Sequence, residues 1–186
     1  MKEIYEITVA GLERKLPICK VSDDLYIAGF VIFGDVELTK ACAAELIKKI
    51  PDHDIIITAE AKGIPLAYEM ASMLGNERHL VARKAAKLYM RDPLETRVKS
   101  ISTEKEQTLY LDRDDAEFIR GKRVVIVDDV ISTGESLYAV EKLVENAGGK
   151  VVGRMAILAE GEASEREDIV YLEKLPLFDG EGNVIE

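Results

Sequence analysis

The sequence predicts an α/β fold, a core parallel sheet flanked by helices, from three observations. Val124 to Val127, within R-V-V-I-V-D-D-V-I-S-T-G-E-S, are consecutive β-branched residues, the composition of a strand buried on both faces. Ile55 to Thr58, I-I-I-T, repeats that composition. Each run passes through a short loop into a segment with apolar residues at helical spacing, the alternation that builds parallel sheets.

In chain order, Lys2 to about Phe33 is mixed, with apolar stretches at Ile4 to Val9, Leu16 to Val21 and Leu25 to Phe33 that suggest small strands or an irregular cover. Leu25, Tyr26 and Phe30 either close part of the core or line a flat apolar ligand such as a base. Asp35 to Ile50 reads as the first helix, with Val36, Leu38, Ala41, Cys42 and Leu46 on related faces and Pro51 as its stop. The strand Ile55 to Thr58 then leads through A-E-A-K-G into a helix from Ile64 to Leu74. His79 to Ala82 is a third strand. Tyr89 to Glu106 is a polar excursion, with Val98 to Ile101 and Thr108 to Leu111 able to pair as a hairpin. After the central segment, a helix from Glu135 to about Ala147 ends near Gly148-Gly149. Strands follow at Val151 to Leu158 and Ile169 to Leu172, separated by a charged loop from Glu160 to Glu167. Leu175 to Glu186 reads as irregular cover.

The chemistry gathers where strands end. Asp128 and Asp129 stand at the carboxyl end of a parallel strand, the edge where open α/β sheets place ligands. The stretch after them, Val130, Ile131, Ser132, Thr133, Gly134, Glu135 and Ser136, joins hydroxyls and a glycine to the unpaired N–H groups of a helix start, an anion cradle suited to phosphate. Two carboxylates repel such an anion. They suit the vicinal hydroxyls of a sugar, or a divalent cation held through water, so a sugar phosphate satisfies both halves. Lys62 and Gly63 put a cation and a permissive backbone after the second strand, which fits a second anion such as pyrophosphate, and Arg83, Lys84 and Lys87 put three cations after the third, which fits a polyanion. The excursion beyond them is a lid in prospect, with Lys99, Ser100, Ser102, Thr103 and Lys105 as closing contacts. The G-x-x-x-x-G-K spacing of a Walker A loop is absent. His79 has no obvious nucleophile or metal ligand near it in sequence and reads as structural, as does His53.

At 186 residues and 47% hydrophobic the chain supports one substantial core, and no linker divides it. A formal net charge of -10 argues against a nonspecific nucleic-acid binder. Cys19 and Cys42 lack disulfide-framework or metal-ligand spacing and read as thiols in a reducing compartment. No apolar run approaches bilayer length, so no membrane partner and a cytoplasmic location are expected.

The segment V-V-I-V-D-D-V-I-S-T-G-E-S resembles the phosphoribosyl pyrophosphate (PRPP) signature of the type I phosphoribosyltransferases, and I-I-I-T-A-E-A-K-G-I and V-A-R-K-A-A-K-L are similar to that family's pyrophosphate loop and A-R-K segment. Over roughly Val31 to Leu172 the chain resembles the adenine and xanthine group. The resemblance implies a core near residues 34–159, a small hood from about 1–33 and 160–186, and a homodimer. It implies transfer from Mg²⁺-bound PRPP to a purine base, the ion held mainly by PRPP and water. Asp128 and Asp129 would then hold the ribose hydroxyls, Val130 to Ser136 the 5-phosphate, and Lys62, Gly63, Arg83, Lys84 and Lys87 the pyrophosphate. Glu135 stands where the family often has a smaller residue. The stretch K-S-I-S-T-E-K-E-Q is closer to the loop of xanthine enzymes, whereas Ile157 to Glu162 lacks the lysine that 6-oxopurine enzymes often place near the base. Adenine is the expected acceptor, giving AMP and pyrophosphate; the alternatives are hypoxanthine, guanine or xanthine, or a noncatalytic PRPP-binding regulator.

Overall fold

The structure, a computed structural model, describes residues 3–99 and 106–185. β1 (Ile4–Val9) and β2 (Leu12–Lys20) form a hairpin around Ala10 and Gly11. Both turn residues have positive φ, 49° and 78°, as a two-residue turn matched to strand twist requires. β3 (Tyr26–Ala28) pairs antiparallel with β2, and β11 (Leu177–Phe178) pairs with β3, so segments from both ends of the chain build one four-stranded sheet.

The core sheet has the order β10-β9-β8-β4-β5, where β4 is Ile55–Ala59, β5 Leu80–Ala82, β8 Arg123–Ile131, β9 Lys150–Glu160 and β10 Val170–Leu175. Every pairing in it is parallel, as the buried runs predict. Side chains alternate across β8. Val125 and Val127 join a core with α1 (Val36–Ile47), α2 (Ile64–Met73) and the antiparallel sheet, whereas Val124 and Ile126 join a second core with α4 (Glu135–Asn146) and Ile119 of α3 (Arg113–Ile119). Helices thus cover both faces. A second hairpin, β6 (Leu94–Lys99) with β7 (Glu106–Leu111), packs beside α4, where Asn146 Nδ2 donates to the buried Thr96 Oγ1 at 3.0 Å.

Several boundaries differ from the sequence reading for local reasons. α1 ends at Ile47, three residues before the expected end, because Lys48 already caps it and the chain must turn extended ahead of Pro51. β8 runs on through Ile131 instead of ending at Val127, because β9 is long enough to continue the ladder, with Asp128 opposite Ala156 and Ile131 opposite Ala159. α3 was not foreseen, nor was β11 inside the expected irregular tail; the Phe178 side chain is buried beneath that sheet. The stretch read as a charged loop carries a 3-10 turn at Gly161–Glu165.

Asp35 fastens α1 in place before the site. Its side chain caps the helix by accepting from Leu38 N at 3.0 Å and also accepts from Arg14 Nε at 2.6 Å, which holds its carboxyl below the usual aspartate range. Asp35→Ala is expected to cost about 1–2 kcal/mol in chemical denaturation at pH 7. A depressed folded pKa stabilises above the unfolded value, so the difference between the two proteins should shrink as pH falls below about 4.

Candidate active site

Because β8, β4 and β5 are adjacent and parallel, the segments that follow them emerge side by side at one sheet edge. These are Ser132 to Gly134 after β8, Glu60 to Gly63 after β4, and Arg83 to Lys87 after β5. Close contacts knit them together. The ideal Cβ position of Gly63 lies 2.2 Å from Thr58 Oγ1 and 3.0 Å from Asp128 Oδ1, so only glycine lets this loop lie against the acidic pair. The Glu60–Ala61 peptide bond in the loop is cis.

Asp129 is almost wholly buried, and its Oδ2 is 2.8 Å from Lys62 Nζ, an ion contact without hydrogen-bond alignment. Lys62 Nζ also donates to the Phe30 carbonyl at 3.4 Å, tying the β4 loop to the segment that leaves β3. Asp128 Oδ1 accepts from the Asp129 backbone N–H at 2.9 Å. Burial and the Asp129 carboxylate beside it push the Asp128 carboxyl upward. A sugar hydroxyl or a cation set against this pair would relieve the repulsion.

The third strand's cations meet an acid from the neighbouring loop. Glu60 Oε1 is 3.2 Å from Arg83 Nη1 and 3.5 Å from Lys87 Nζ, and Oε2 accepts from the Lys84 backbone N–H at 3.0 Å. That N–H and the two cations hold the Glu60 carboxyl below its ordinary value. Arg83 also exchanges backbone hydrogen bonds with Tyr110, which fixes the foot of the second hairpin to this edge.

At the start of α4, Gly134 has φ +76° and Thr133 Oγ1 lies 3.4 Å from the Glu135 N–H. Arg166, held by Asp168 through Nε and Nη2 at 2.9 and 2.8 Å, brings Nη1 to within 2.6 Å of where a Cβ on Gly134 would stand. The guanidinium backs the turn.

A phosphoribosyl transferase domain model matches residues 35–178, most of the chain and all three loops. The chain belongs to the phosphoribosyltransferase family.

Among curated relatives of this phosphoribosyltransferase, the adenine phosphoribosyltransferase of Petrotoga mobilis is 35% identical over 133 residues, 70% of this chain and 71% of that protein. The hypoxanthine/guanine phosphoribosyltransferase of Methanococcus voltae is 34% identical over 171 residues, 89% and 85% of the two chains. Among solved structures, the adenine phosphoribosyltransferase of Thermoanaerobacter pseudethanolicus superposes with a TM-score of 0.65 at 25% identity, covering 92% of this chain and 95% of that one.

The residues singled out from sequence fall into four groups. Asp128, Asp129, Lys62, Gly63, Arg83, Lys84, Lys87 and Ser132 to Ser136 converge on the one edge of this phosphoribosyltransferase. Val130 and Ile131 belong to β8 and not to the loop; Ile131 is buried in the α4-side core. Tyr26 and Phe30 have buried side chains within the core shared with the antiparallel sheet, and Leu25 is half-buried; of these three, Phe30 reaches the site through its carbonyl. On the same segment Val31 and Phe33 are 60% and 51% exposed. Lys99 ends β6, while Ser100, Ser102, Thr103 and Lys105 lie outside the described residues. Glu60 and Arg166 were not anticipated. The A-E-A-K-G loop named Glu60 without its partners, and Arg166 acts 32 positions from Gly134 in sequence.

Proposed function

We propose that this phosphoribosyltransferase moves the 5-phosphoribosyl group of PRPP to adenine, forming AMP and pyrophosphate. The observation that carries the reading is the meeting of the acidic pair, the Lys62–Gly63 loop and the Ser132–Ser136 turn on one edge, held there by the Gly63 contact with Asp128. The bond between C1 of the ribose and the diphosphate oxygen breaks as positive charge grows on the sugar, and a purine ring nitrogen supplies the new bond, giving up its proton to the departing diphosphate or to water. No protein nucleophile is needed.

Asp128 and Asp129 orient the ribose by accepting from its vicinal hydroxyls, and the helix-start N–H groups with Ser132, Thr133 and Ser136 hold the 5-phosphate. Lys62, Arg83, Lys84 and Lys87 offset negative charge on the departing diphosphate. Phe33 lies three residues beyond the Phe30 carbonyl that binds Lys62, and offers the base an exposed aromatic face. Mg²⁺ fits this edge, since an acidic pair in which burial, and then repulsion from Asp129, raises Asp128 gains from a nearby cation. When bound with PRPP, the ion neutralises diphosphate charge; its shell would come mainly from substrate and water.

Adenine is supported by the relatives of that name and by Glu160 at the end of β9, a half-buried carboxylate whose pKa burial raises. A carboxylate there accepts from an amino group, and no lysine in residues 157–162 offers a donor to a 6-oxo group. The Methanococcus voltae relative, which aligns over more of this chain, favours hypoxanthine and guanine as the second reading. Purified protein with PRPP and Mg²⁺ is expected to show its highest kcat/KM with adenine in a panel that includes hypoxanthine, guanine, xanthine and orotate. A higher value with hypoxanthine or guanine selects the second reading, and no pyrophosphate release with any base rejects catalysis.

Exposed Val36, Tyr68 and Met73 on the outer sides of α1 and α2 support a homodimer. No helix among the described residues is long and apolar enough to cross a membrane. Unpaired Cys19 and Cys42 support a reducing, cytoplasmic setting.

A further inference from the structure

The loop after β4 supplies an acid as well as a cation to its neighbours. Lys62 faces Asp129, and two residues earlier Glu60 takes the Arg83 guanidinium, the Lys87 ammonium and the Lys84 backbone N–H. Those three donors are the ones a diphosphate needs on this side of the edge, since phosphoryl and carboxylate oxygens seek the same charged donors. Glu60 and a bound diphosphate cannot both keep them. A carboxylate left beside a diphosphate is also repelled by it, so the Glu60 side chain must withdraw as the diphosphate takes its donors.

We propose that Glu60 is a positioning residue that acts as a built-in competitor of pyrophosphate, holding the Arg83–Lys87 donors in place and loosening the leaving group's grip on them. This rests on the phosphoribosyltransferase reading of the edge. Its side chain is 23% exposed, open enough for the exchange and buried enough for the contacts to persist. The consequence is a shorter stay for pyrophosphate, and so faster turnover wherever product release limits the rate.

The test titrates Mg²⁺–pyrophosphate into the full-length protein by calorimetry, for wild type, Glu60→Gln and Glu60→Asp, alongside steady-state kinetics. Glu60→Gln removes the competing charge, so its Kd for pyrophosphate should fall about threefold to tenfold, with KM for PRPP and kcat both falling. Glu60→Asp draws the carboxylate back from Arg83 and Lys87 and should tighten binding less, in the same direction. A merely structural role would weaken binding in both variants. Unchanged or weaker pyrophosphate binding in Glu60→Gln overturns the inference; if that variant does not fold, unchanged or weaker binding in Glu60→Asp does so. Wild-type protein that binds neither PRPP nor pyrophosphate with Mg²⁺ would instead overturn the underlying site reading.

Discussion

Asp128→Asn is expected to lower kcat/KM for phosphoribosyl transfer by about two to three orders of magnitude while making the protein more stable at alkaline pH. The activity loss follows from replacing an ionised acceptor, in contact with Gly63 and the Asp129 N–H, by an amide that donates on one side. The stability gain follows from the direction of the pKa shift. Burial first, and Asp129 second, raise the Asp128 carboxyl to about 7, above the unfolded aspartate value of about 4. Between those values the folded protein holds a proton that the unfolded chain has lost. Stability due to this group is therefore full below about pH 4 and is lost as pH rises through about 7. A neutral asparagine escapes that loss, so the variant's Tm should exceed the wild type's at pH 8 and converge with it toward pH 4. Adding Asp129→Asn removes the ion partner of Lys62 and should deepen the kinetic defect. Undiminished activity in the double variant would remove these carboxylates from the mechanism.

Gly63→Ala should damage folding and catalysis together. The added methyl group would stand 2.2 Å from Oγ1 of the fully buried Thr58, so one of the two must shift. Overpacking of this kind costs about 1–3 kcal/mol. The same methyl lies 3.0 Å from Asp128 Oδ1 and 3.2 Å from its Cα, so either the β4 loop lifts or the acid moves. Displacement of a positioned group by an ångström costs about a hundredfold in rate. Combining Gly63→Ala with Thr58→Ala separates the two effects. The double variant should recover most of the lost Tm, because the nearest clash is gone, and little of the lost kcat/KM, because the Asp128 contact is unchanged. Equal recovery of both would show that the loop reaches Asp128 only through Thr58.

What could be read from sequence was what local pattern encodes. The buried runs in β4 and β8, the glycine and hydroxyls before α4, and the cations after β5 each announce themselves within a few residues. α3 was legible too. Asp112 accepts from the Arg113 N–H, acids fill the first turn, and Gly121 follows with φ +72°, the usual signals of a helix start and stop. The end of β8 was not, because whether Asp128 to Ile131 remain strand depends on how far β9 extends beside them. Tyr26 and Phe30 turned inward for a similar reason: they share a core with Phe178, which pairs with Tyr26 from the far end of the chain. Glu60 looked like an ordinary loop acid because its partners lie more than twenty residues away.

The pairing of Tyr26 with Phe178 joins residues about 150 positions apart. Closing so long a span costs little more free energy than closing one half its length, but its encounter is slow compared with the local strand–helix units of the core. The edge of the antiparallel sheet where β11 joins β3 is therefore late-forming, and Phe178 of β11 packs in the same core as Phe30, whose carbonyl steadies Lys62. Competence for transfer should lag behind formation of the core sheet, so that the earliest native-like species carries the turn after β8 before the segment around Phe30 is fixed beside the Lys62 loop.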